Sequence, residues 1–186
     1  MADGTLKVGT IITSSGSGTI TLGQSNETVA LGSGATSSGF GGANTPMFQA
    51  NLSGNQSLNS GATTKISFNT ETFDTAGAYN TSTYRFTPQT AGKYLIEVSL
   101  QFAAGGSQLL YCYAYIYKNG SSTKISQNDF QNNPANTHNG TASYIIDMNG
   151  SSDYVEAYGH IYNSGTVNAS DGGAKQSVFK GYKLIE

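Results

Sequence analysis

Charge and cysteine are scarce in this chain of 186 residues, and each scarcity excludes a class of partner or of cross-link. Only 11% of the residues are charged and the formal net charge is -2, so no basic cluster could attract nucleic acid or an anionic membrane. The single cysteine, Cys112, excludes an intrachain disulfide, and its aliphatic flanks predict a small buried side chain. No apolar run approaches the roughly 20 residues that span a bilayer. We therefore expect neither nucleic acid binding nor membrane insertion.

Small polar residues and glycine separate short runs in which apolar and polar residues alternate from Pro46 onward. Such runs are typical of short antiparallel strands, and no segment has the periodicity of a helix. The predicted strands cover Met47–Leu52, Thr64–Phe68, Thr83–Thr87, Gly92–Phe102, Gln108–Lys118, Ser122–Asn128, Thr141–Asp147, Asp153–Ile161 and Ser177–Leu184. Strands of this number and length predict an all-β sandwich of two antiparallel sheets.

Six residues of this region stand at fixed spacings. The pattern reads Phe, five residues, Asp, four residues, an aromatic, six residues, Phe, five residues, Gly, one residue and Tyr, formed by Phe68, Asp74, Tyr79, Phe86, Gly92 and Tyr94. It resembles the signature of the C1q and tumour necrosis factor family, although Ile96 and Val98 stand where that family usually carries aromatic residues. The resemblance implies a jelly roll that assembles as a homotrimer, with aromatic-rich strands facing the three-fold axis.

A different pattern precedes this region. A Thr-apolar-X-apolar unit begins at Thr19 and again nine residues later at Thr28, a degenerate copy begins at Thr10, and a Gly/Ser-rich connector follows. One unit buries too little surface to be stable alone, so it needs neighbouring units or chains. We predict that residues 1–43 form an arm that anchors the protein, and that residues 44–186 form the jelly-roll knob; an ordinary flexible arm is the alternative. The predicted anchoring residues are Ile11, Ile20, Leu22, Val29 and Leu31.

The repeat and its connector resemble the short N-terminal segments of bacteriophage virion proteins. This resemblance implies a viral structural protein located in the virion, whose arm binds other virion proteins. The trimeric knob would then project as a head decoration or short fibre that adheres to the host surface. The alternatives are a receptor-binding or glycan-binding tip of a tail fibre, and a free C1q-like binding module.

Four tyrosines alternate with smaller residues in the predicted strand Gln108–Lys118. Because side chains alternate across a strand, these tyrosines share one face while the aliphatic residues and Cys112 share the other. Tyrosine suits protein interfaces, where its ring is buried and its hydroxyl meets a polar rim. We expect this row to form the trimer interface; a tyrosine ladder on an exposed sheet is the alternative. The row consists of Tyr111, Tyr113, Tyr115 and Tyr117.

Aromatic and amide side chains occur together between residues 127 and 140. Rings can stack on sugars and amides can hydrogen-bond to sugar hydroxyls, so this segment is a candidate ligand loop for a host glycan or protein. A solvated turn is the alternative. The candidate residues are Asn128, Phe130, Asn132 and His138, the last of which we place in a loop over Asn132–Gly140.

Residues suited to catalysis or metal binding are sparse. The two histidines, His138 and His160, lie far apart in the sequence, and no Gly-X-Ser-X-Gly motif accompanies them. A polysaccharide hydrolase would need two carboxylates roughly 5–10 Å apart, and of the pair Glu71 and Asp74 the second belongs to the spacing pattern. No His or Cys pair has zinc-site spacing. We therefore expect no enzyme and no cofactor; an ion on a trimer axis stays open, without assigned ligands.

Overall fold

The computed structural model describes Ile11, Ser33 and residues 44–105, 108–163, 165, 167–170 and 175–185. The chain divides into two units, Met1–Phe40 and Gly41–Glu186, and the fold described below belongs to the second. The predicted anchoring residues other than Ile11 lie outside the described residues, and Ile11 is exposed. None of the described residues forms a helix that could cross a membrane.

Every regular element of the described residues is a strand. The bounds are Met47–Asn51 (β1), Gln56–Leu58 (β2), Thr63–Lys65 (β3), Thr70–Asp74 (β4), Tyr79–Asn80 (β5), Arg85–Phe86 (β6), Ala91–Ala103 (β7), Leu109–Lys118 (β8), Ser121–Asp129 (β9), Thr137–Asn149 (β10), Val155–Asn163 (β11), Val167–Ser170 (β12) and Val178–Lys183 (β13). All nine predicted strands have a counterpart here, whereas β2, β4, β5 and β12 were not predicted.

The strands form two antiparallel sheets. The first sheet has the order β2-β12-β7-β13-β1-β4, with β10 on the other edge of β7. The second has the order β5-β6-β11-β8-β9, with β3 beside β11. Within each sheet, every pair of neighbouring strands is antiparallel. The predicted two-sheet jelly-roll sandwich is therefore confirmed.

The core lies between the sheets because alternate residues of the long strands point inward. On β7 the inward set runs from Tyr94 to Phe102, and on β8 it includes Cys112 and Ile116; all of these residues are fully buried. Burial of apolar surface stabilises the fold by about 25 cal/mol per Å². Because the inward residues form the core, the outward residues of the same strands are not needed for it, and they form a different surface on each sheet.

Most residues of the spacing pattern belong to one packed cluster of rings. Phe86 stacks on Phe48 with ring centroids 4.3 Å apart, and Tyr79 stacks on the same ring at 5.0 Å. The Tyr79 hydroxyl donates to the Phe68 carbonyl oxygen at 2.7 Å, and the Tyr79 N–H donates to a carboxylate oxygen of Asp74 at 2.7 Å. The pattern therefore specifies packing and turn geometry.

The alternation of β8 is interrupted near its start. The pairing of β8 with β11 places Tyr111 opposite Tyr162 but Leu109 opposite Asn163, so one residue of β8 is extra. Such a β-bulge shifts the following side chains by one position. Leu109 is therefore buried in the core, whereas Leu110, which a strict alternation with Tyr111 would place there, is only partly buried.

Candidate functional site

Seven aromatic side chains cover the outward surface of β8 and its neighbour β11. The antiparallel register places Tyr111 opposite Tyr162, Tyr113 opposite His160, and Tyr115 opposite Tyr158. We call this surface the tyrosine face; it consists of Tyr111, Tyr113, Tyr115, Tyr117, Tyr158, His160 and Tyr162. The structure thus places all four predicted tyrosines on one face, and their role as a trimer contact stays a prediction.

The rings of the tyrosine face pack on one another. Tyr111 and Tyr162 are stacked with centroids 5.0 Å apart and planes 10° apart, and Tyr113 and His160 are stacked at 5.3 Å and 14°. Tyr117 stacks on Tyr158 at 4.1 Å. Aromatic pairs of this kind contribute about 0.5–1.5 kcal/mol beyond their buried area. Tyr162 is the most exposed ring of the seven at 45%, and the other six residues are partly buried.

The rings from β11 were missed in the sequence analysis, although their signal was present. Tyr158, His160 and Tyr162 alternate with Gly159 and Ile161, which is the same two-residue period that identified the row on β8. What the sequence could not supply is the register, which decides that the two rows lie side by side.

The centre of the tyrosine face is uncharged at neutral pH. His160 Nδ1 shares a hydrogen bond of 3.0 Å with the Thr63 hydroxyl, and burial lowers the pKa of His160 below its ordinary value. Burial likewise raises the pKa of the Tyr113, Tyr115 and Tyr158 hydroxyls. Neutral imidazole and neutral phenols offer hydrogen bonds without a net charge.

One end of the tyrosine face adjoins a buried ion-pair network. Glu156 Oε1 accepts hydrogen bonds from Lys65 Nζ at 2.5 Å and from Arg85 Nε at 2.7 Å. Lys65 lies on β3 and Arg85 on β6, so a single carboxylate of β11 joins both short strands to the sheet. Burial raises the pKa of Glu156, but the two cations outweigh burial and the net pKa is lowered. The cations are thereby engaged within the chain.

The candidate ligand loop is shorter than expected. Because β9 ends at Asp129 and β10 begins at Thr137, Asn128 and His138 lie on strands, which corrects the predicted loop over Asn132–Gly140. His138 packs edge-on against Phe130, with ring centroids 4.7 Å apart.

The remaining loop residues surround an open cleft of about 310 Å³. Its lining consists of Asp129, Phe130, Gln131, Asn132 and Asn133. Two of the four candidate residues, Phe130 and Asn132, therefore line the cleft. Asn128 instead pairs with Cys112 in the sheet, and His138 contacts the cleft lining through Phe130.

A second surface, on the outward side of the first sheet, was not predicted. The register places Ile145, Leu95, Tyr182 and Met47 next to one another on four adjacent strands, β10, β7, β13 and β1. We call these four residues the apolar row. Ile145 is 52% exposed, and Phe73 of β4, 42% exposed, lines a cleft of about 180 Å³ together with Met47 and Tyr182. Large apolar side chains thus continue across the sheet.

Groups capable of catalysis are engaged in the fold. Burial raises the pKa of the Cys112 thiol to about 12, so the reactive thiolate is suppressed at neutral pH. The Asp74 carboxylate accepts backbone hydrogen bonds from Ala76 and Tyr79. Within the described ranges, no three residues of the types His, Cys, Asp and Glu are grouped so that they could hold a metal ion.

Solved structures share this fold at low sequence identity. The chain is similar to murine APRIL, with 8% identity and a TM-score of 0.55 over 74% of this chain and 98% of that chain. It is similar to the globular domain of zebrafish complement 1qA, with 14% identity and a TM-score of 0.52 over 75% and 96% of the two chains. It is also similar to Eiger TNF from S. frugiperda, with 10% identity and a TM-score of 0.51 over 74% of this chain and 90% of that chain. These likenesses confirm the C1q/TNF-like jelly-roll fold.

Sequence comparison adds no closer relative. No family model matches the chain, and no curated protein matches it. The resemblance to bacteriophage virion proteins therefore stays a prediction from the nine-residue repeat.

Proposed function

We propose that this chain is a non-enzymatic binding module that assembles as a homotrimer through the apolar row of its first sheet. The observation that carries this proposal is the register that places Ile145, Leu95, Tyr182 and Met47 side by side on the outward surface. Monomeric soluble proteins rarely expose large contiguous apolar patches, so such a patch is typical of an interaction site. The resemblance to the C1q and tumour necrosis factor family supports three copies.

The apolar row is a better candidate for a permanent contact than the tyrosine face. Three of its four side chains, those of Ile145, Leu95 and Met47, have no side-chain group that hydrogen-bonds to water, whereas six of the seven residues of the tyrosine face keep a hydroxyl that water can hydrogen-bond. The rings of the tyrosine face also cover one another, which reduces the apolar area that a partner could bury. The tyrosine row as the trimer contact stays the competing prediction.

Mass measurement in dilute solution tests the assembly and separates the two faces. We expect three times the chain mass of 19.4 kDa for the unchanged protein. Ile145→Asn should shift the protein towards the monomer without unfolding it, because Ile145 is already half exposed. Tyr113→Ala is the matched control and should leave the mass unchanged. A stable monomer of the unchanged protein would refute the proposal, and dissociation by Tyr113→Ala alone would assign the contact to the tyrosine row.

We also propose that the trimer belongs to a virion, attached through residues 1–43 as a head decoration or short fibre. The support is the repeat around Ile20 and Val29, whose apolar residues need partners to be buried. Deletion of residues 1–43 should leave three chains in the assembly and abolish attachment to particles. Incorporation at the level of the full chain would contradict the anchoring role.

A further inference from the structure

We propose that the Tyr111–Tyr162 end of the tyrosine face, together with the adjoining cleft at Asp129, binds a neutral oligosaccharide. This inference rests on the proposed function as a binding module, and it names the ligand class and the site. The site is defined as the sugar-binding end, formed by Tyr111, Tyr162, Asp129, Gln131, Asn132 and Asn133.

The register brings aromatic and polar groups of the sugar-binding end into one line. Asp129 of β9 lies opposite Tyr111 of β8, which lies opposite Tyr162 of β11. Neighbouring strands are about 4.8 Å apart, so the line is about 10 Å long before the cleft is added. Asp129 belongs both to this line and to the lining of the cleft. The surface can therefore contact more than one sugar unit.

Tyr162 is the ring best placed to stack on a sugar. One side of its ring packs on Tyr111 at 5.0 Å, and the side chain is still 45% exposed. Tyr111, by contrast, packs on Tyr113, His160 and Tyr162 and is only partly exposed. Aromatic rings combine an apolar surface with, in tyrosine, a polar hydroxyl at the rim. That combination matches the C–H surface and the hydroxyl rim of a sugar ring.

Apart from the Asp129 carboxylate, the polar side-chain groups at this end are not used by the fold. Within the part of the chain that the structure describes, neither the Tyr111 nor the Tyr162 hydroxyl makes a hydrogen bond to protein, and neither do the side-chain amides of residues 131–133. The Asp129 carboxylate accepts one bond, from the Gln131 N–H at 3.0 Å. Amides supply both donors and acceptors, and a carboxylate supplies acceptors, which together suit the hydroxyls of a sugar.

The charge of the site favours a neutral ligand over an anionic one. Asp129 is the only acidic residue in the line, which has no basic residue, and Lys65 and Arg85 lie at the opposite end of the face, where Glu156 engages both. An anionic polymer would meet a carboxylate without a compensating cation, which is unfavourable. A peptide ligand would require more apolar depth than this cleft provides, because its lining consists of three amides, one carboxylate and a single phenyl ring.

Titration with defined oligosaccharides tests the inference. The probes are maltohexaose, cellohexaose and laminarihexaose as neutral ligands and a heparin hexasaccharide as the anionic one, observed by calorimetry and by saturation transfer to the sugar protons. We expect at least one neutral probe to bind and the anionic probe not to bind. Tyr162→Ala should weaken that binding at least about tenfold, as loss of one ring contact predicts. Tyr162→Phe should retain most of the affinity.

A matched control comes from the other end of the same face. Tyr117→Ala removes a stacked ring without touching the sugar-binding end, so it should leave the affinity unchanged. Binding that persists in Tyr162→Ala, or that is lost equally in Tyr117→Ala, would overturn the site. Binding of only the anionic probe, or of none, would overturn the ligand class. If the protein binds a host surface protein equally well after that surface protein's glycans have been removed by glycosidases, and this binding is lost in Tyr162→Ala, the ligand of this site is a protein and the proposed ligand class is wrong.

The measured mass keeps this test separate from the proposed assembly. A protein that has three times the chain mass but binds no neutral probe would retain the trimer and lose the sugar site. A monomer that still binds a neutral probe through Tyr162 would retain the site and lose the trimer.

Discussion

Replacing Glu156 by glutamine should destabilise the sandwich and remove part of its sensitivity to acid. Although Glu156 lies on an outward face, its side chain is only 1% exposed because its neighbours cover it. Its carboxylate holds Lys65 of β3 and Arg85 of β6 at 2.5 and 2.7 Å. Loss of the charge therefore weakens the attachment of two strands to β11.

The expected loss follows from the exposure of the two cations. A hydrogen bond to a charged group contributes about 1.5–3 kcal/mol, and removing one partner of a fully buried ion pair costs about 3–5 kcal/mol. Lys65 and Arg85 keep 28% and 39% of their side-chain surface exposed, so water can solvate both after the substitution. Glutamine also keeps one carbonyl acceptor. We expect the free energy of unfolding at pH 7 to fall by about 2–3 kcal/mol.

The loss should depend on pH in a defined direction. Burial raises the pKa of Glu156, but the hydrogen bonds from Lys65 and Arg85 outweigh it and the net pKa is lowered. A carboxylate with a lowered folded pKa stabilises the protein above its unfolded pKa of about 4.3, and that stabilisation is lost as the pH falls through the folded pKa. The difference in unfolding free energy between the unchanged protein and Glu156→Gln should therefore be largest at pH 7 and shrink as the pH falls below about 4.3.

Urea unfolding at a fixed protein concentration, followed by circular dichroism at several pH values, measures this difference. The matched control is Glu97→Gln, whose pair with Lys180 at 2.9 Å is partly exposed on the first sheet. Exposed pairs contribute about 0–1 kcal/mol, so the control should lose little. Equal losses in the two variants, or a Glu156→Gln loss that does not change with pH, would refute the reasoning.

Three further substitutions or treatments probe the fold. Gly150→Ala should cost more than about 2 kcal/mol in unfolding free energy, because Gly150 has φ +71° and an added Cβ would lie 2.2 Å from the Ala91 nitrogen; Gly54→Ala, with nothing within 4 Å, is the control. Phe48→Ala should cost about 3–5 kcal/mol in the same assay, and a near-neutral result would contradict the ring cluster. Cys112 should resist a thiol reagent at pH 8 until urea is added, since burial raises its pKa to about 12; rapid native labelling would contradict its burial.

The long strands could be predicted because their residues alternate over many positions, whereas the short ones could not. On β7 from Tyr94 onward, and on β8 from Tyr111 onward, a regular alternation of inward and outward side chains identifies the strand by itself. Thr70–Asp74 (β4) instead consists mostly of exposed residues and shows no apolar alternation. Its position is set by pairing with β1 and by the hydrogen bond that Asn51 donates to Thr72 at 2.5 Å. Such contacts cannot be read from a local pattern.

The candidate surfaces, like the strands, could be predicted where a local pattern specifies them and could not where strand pairing does. Tyr111 to Tyr117 form a row within one strand, so their period of two residues was sufficient to place them on one face. The apolar row joins Met47, Leu95, Ile145 and Tyr182, which lie far apart in the sequence and meet only through the register of four strands. A local reading cannot supply that register, and for the same reason it placed His138 in a loop rather than on β10.

The spacing pattern that indicates the fold is silent about function because its apolar residues point inward. Phe68, Tyr79, Phe86 and Tyr94 are all buried, and Tyr94 is followed on β7 by Leu95, which belongs to the apolar row. One strand therefore carries a core residue and a surface residue at adjacent positions, and only the first is constrained by the fold. Since outward positions can change without disturbing the core, chains with 8–14% identity can share this jelly roll while presenting different surfaces. Substitutions at exposed outward positions such as Ile145 and Tyr162 should accordingly change assembly or ligand binding before they change stability.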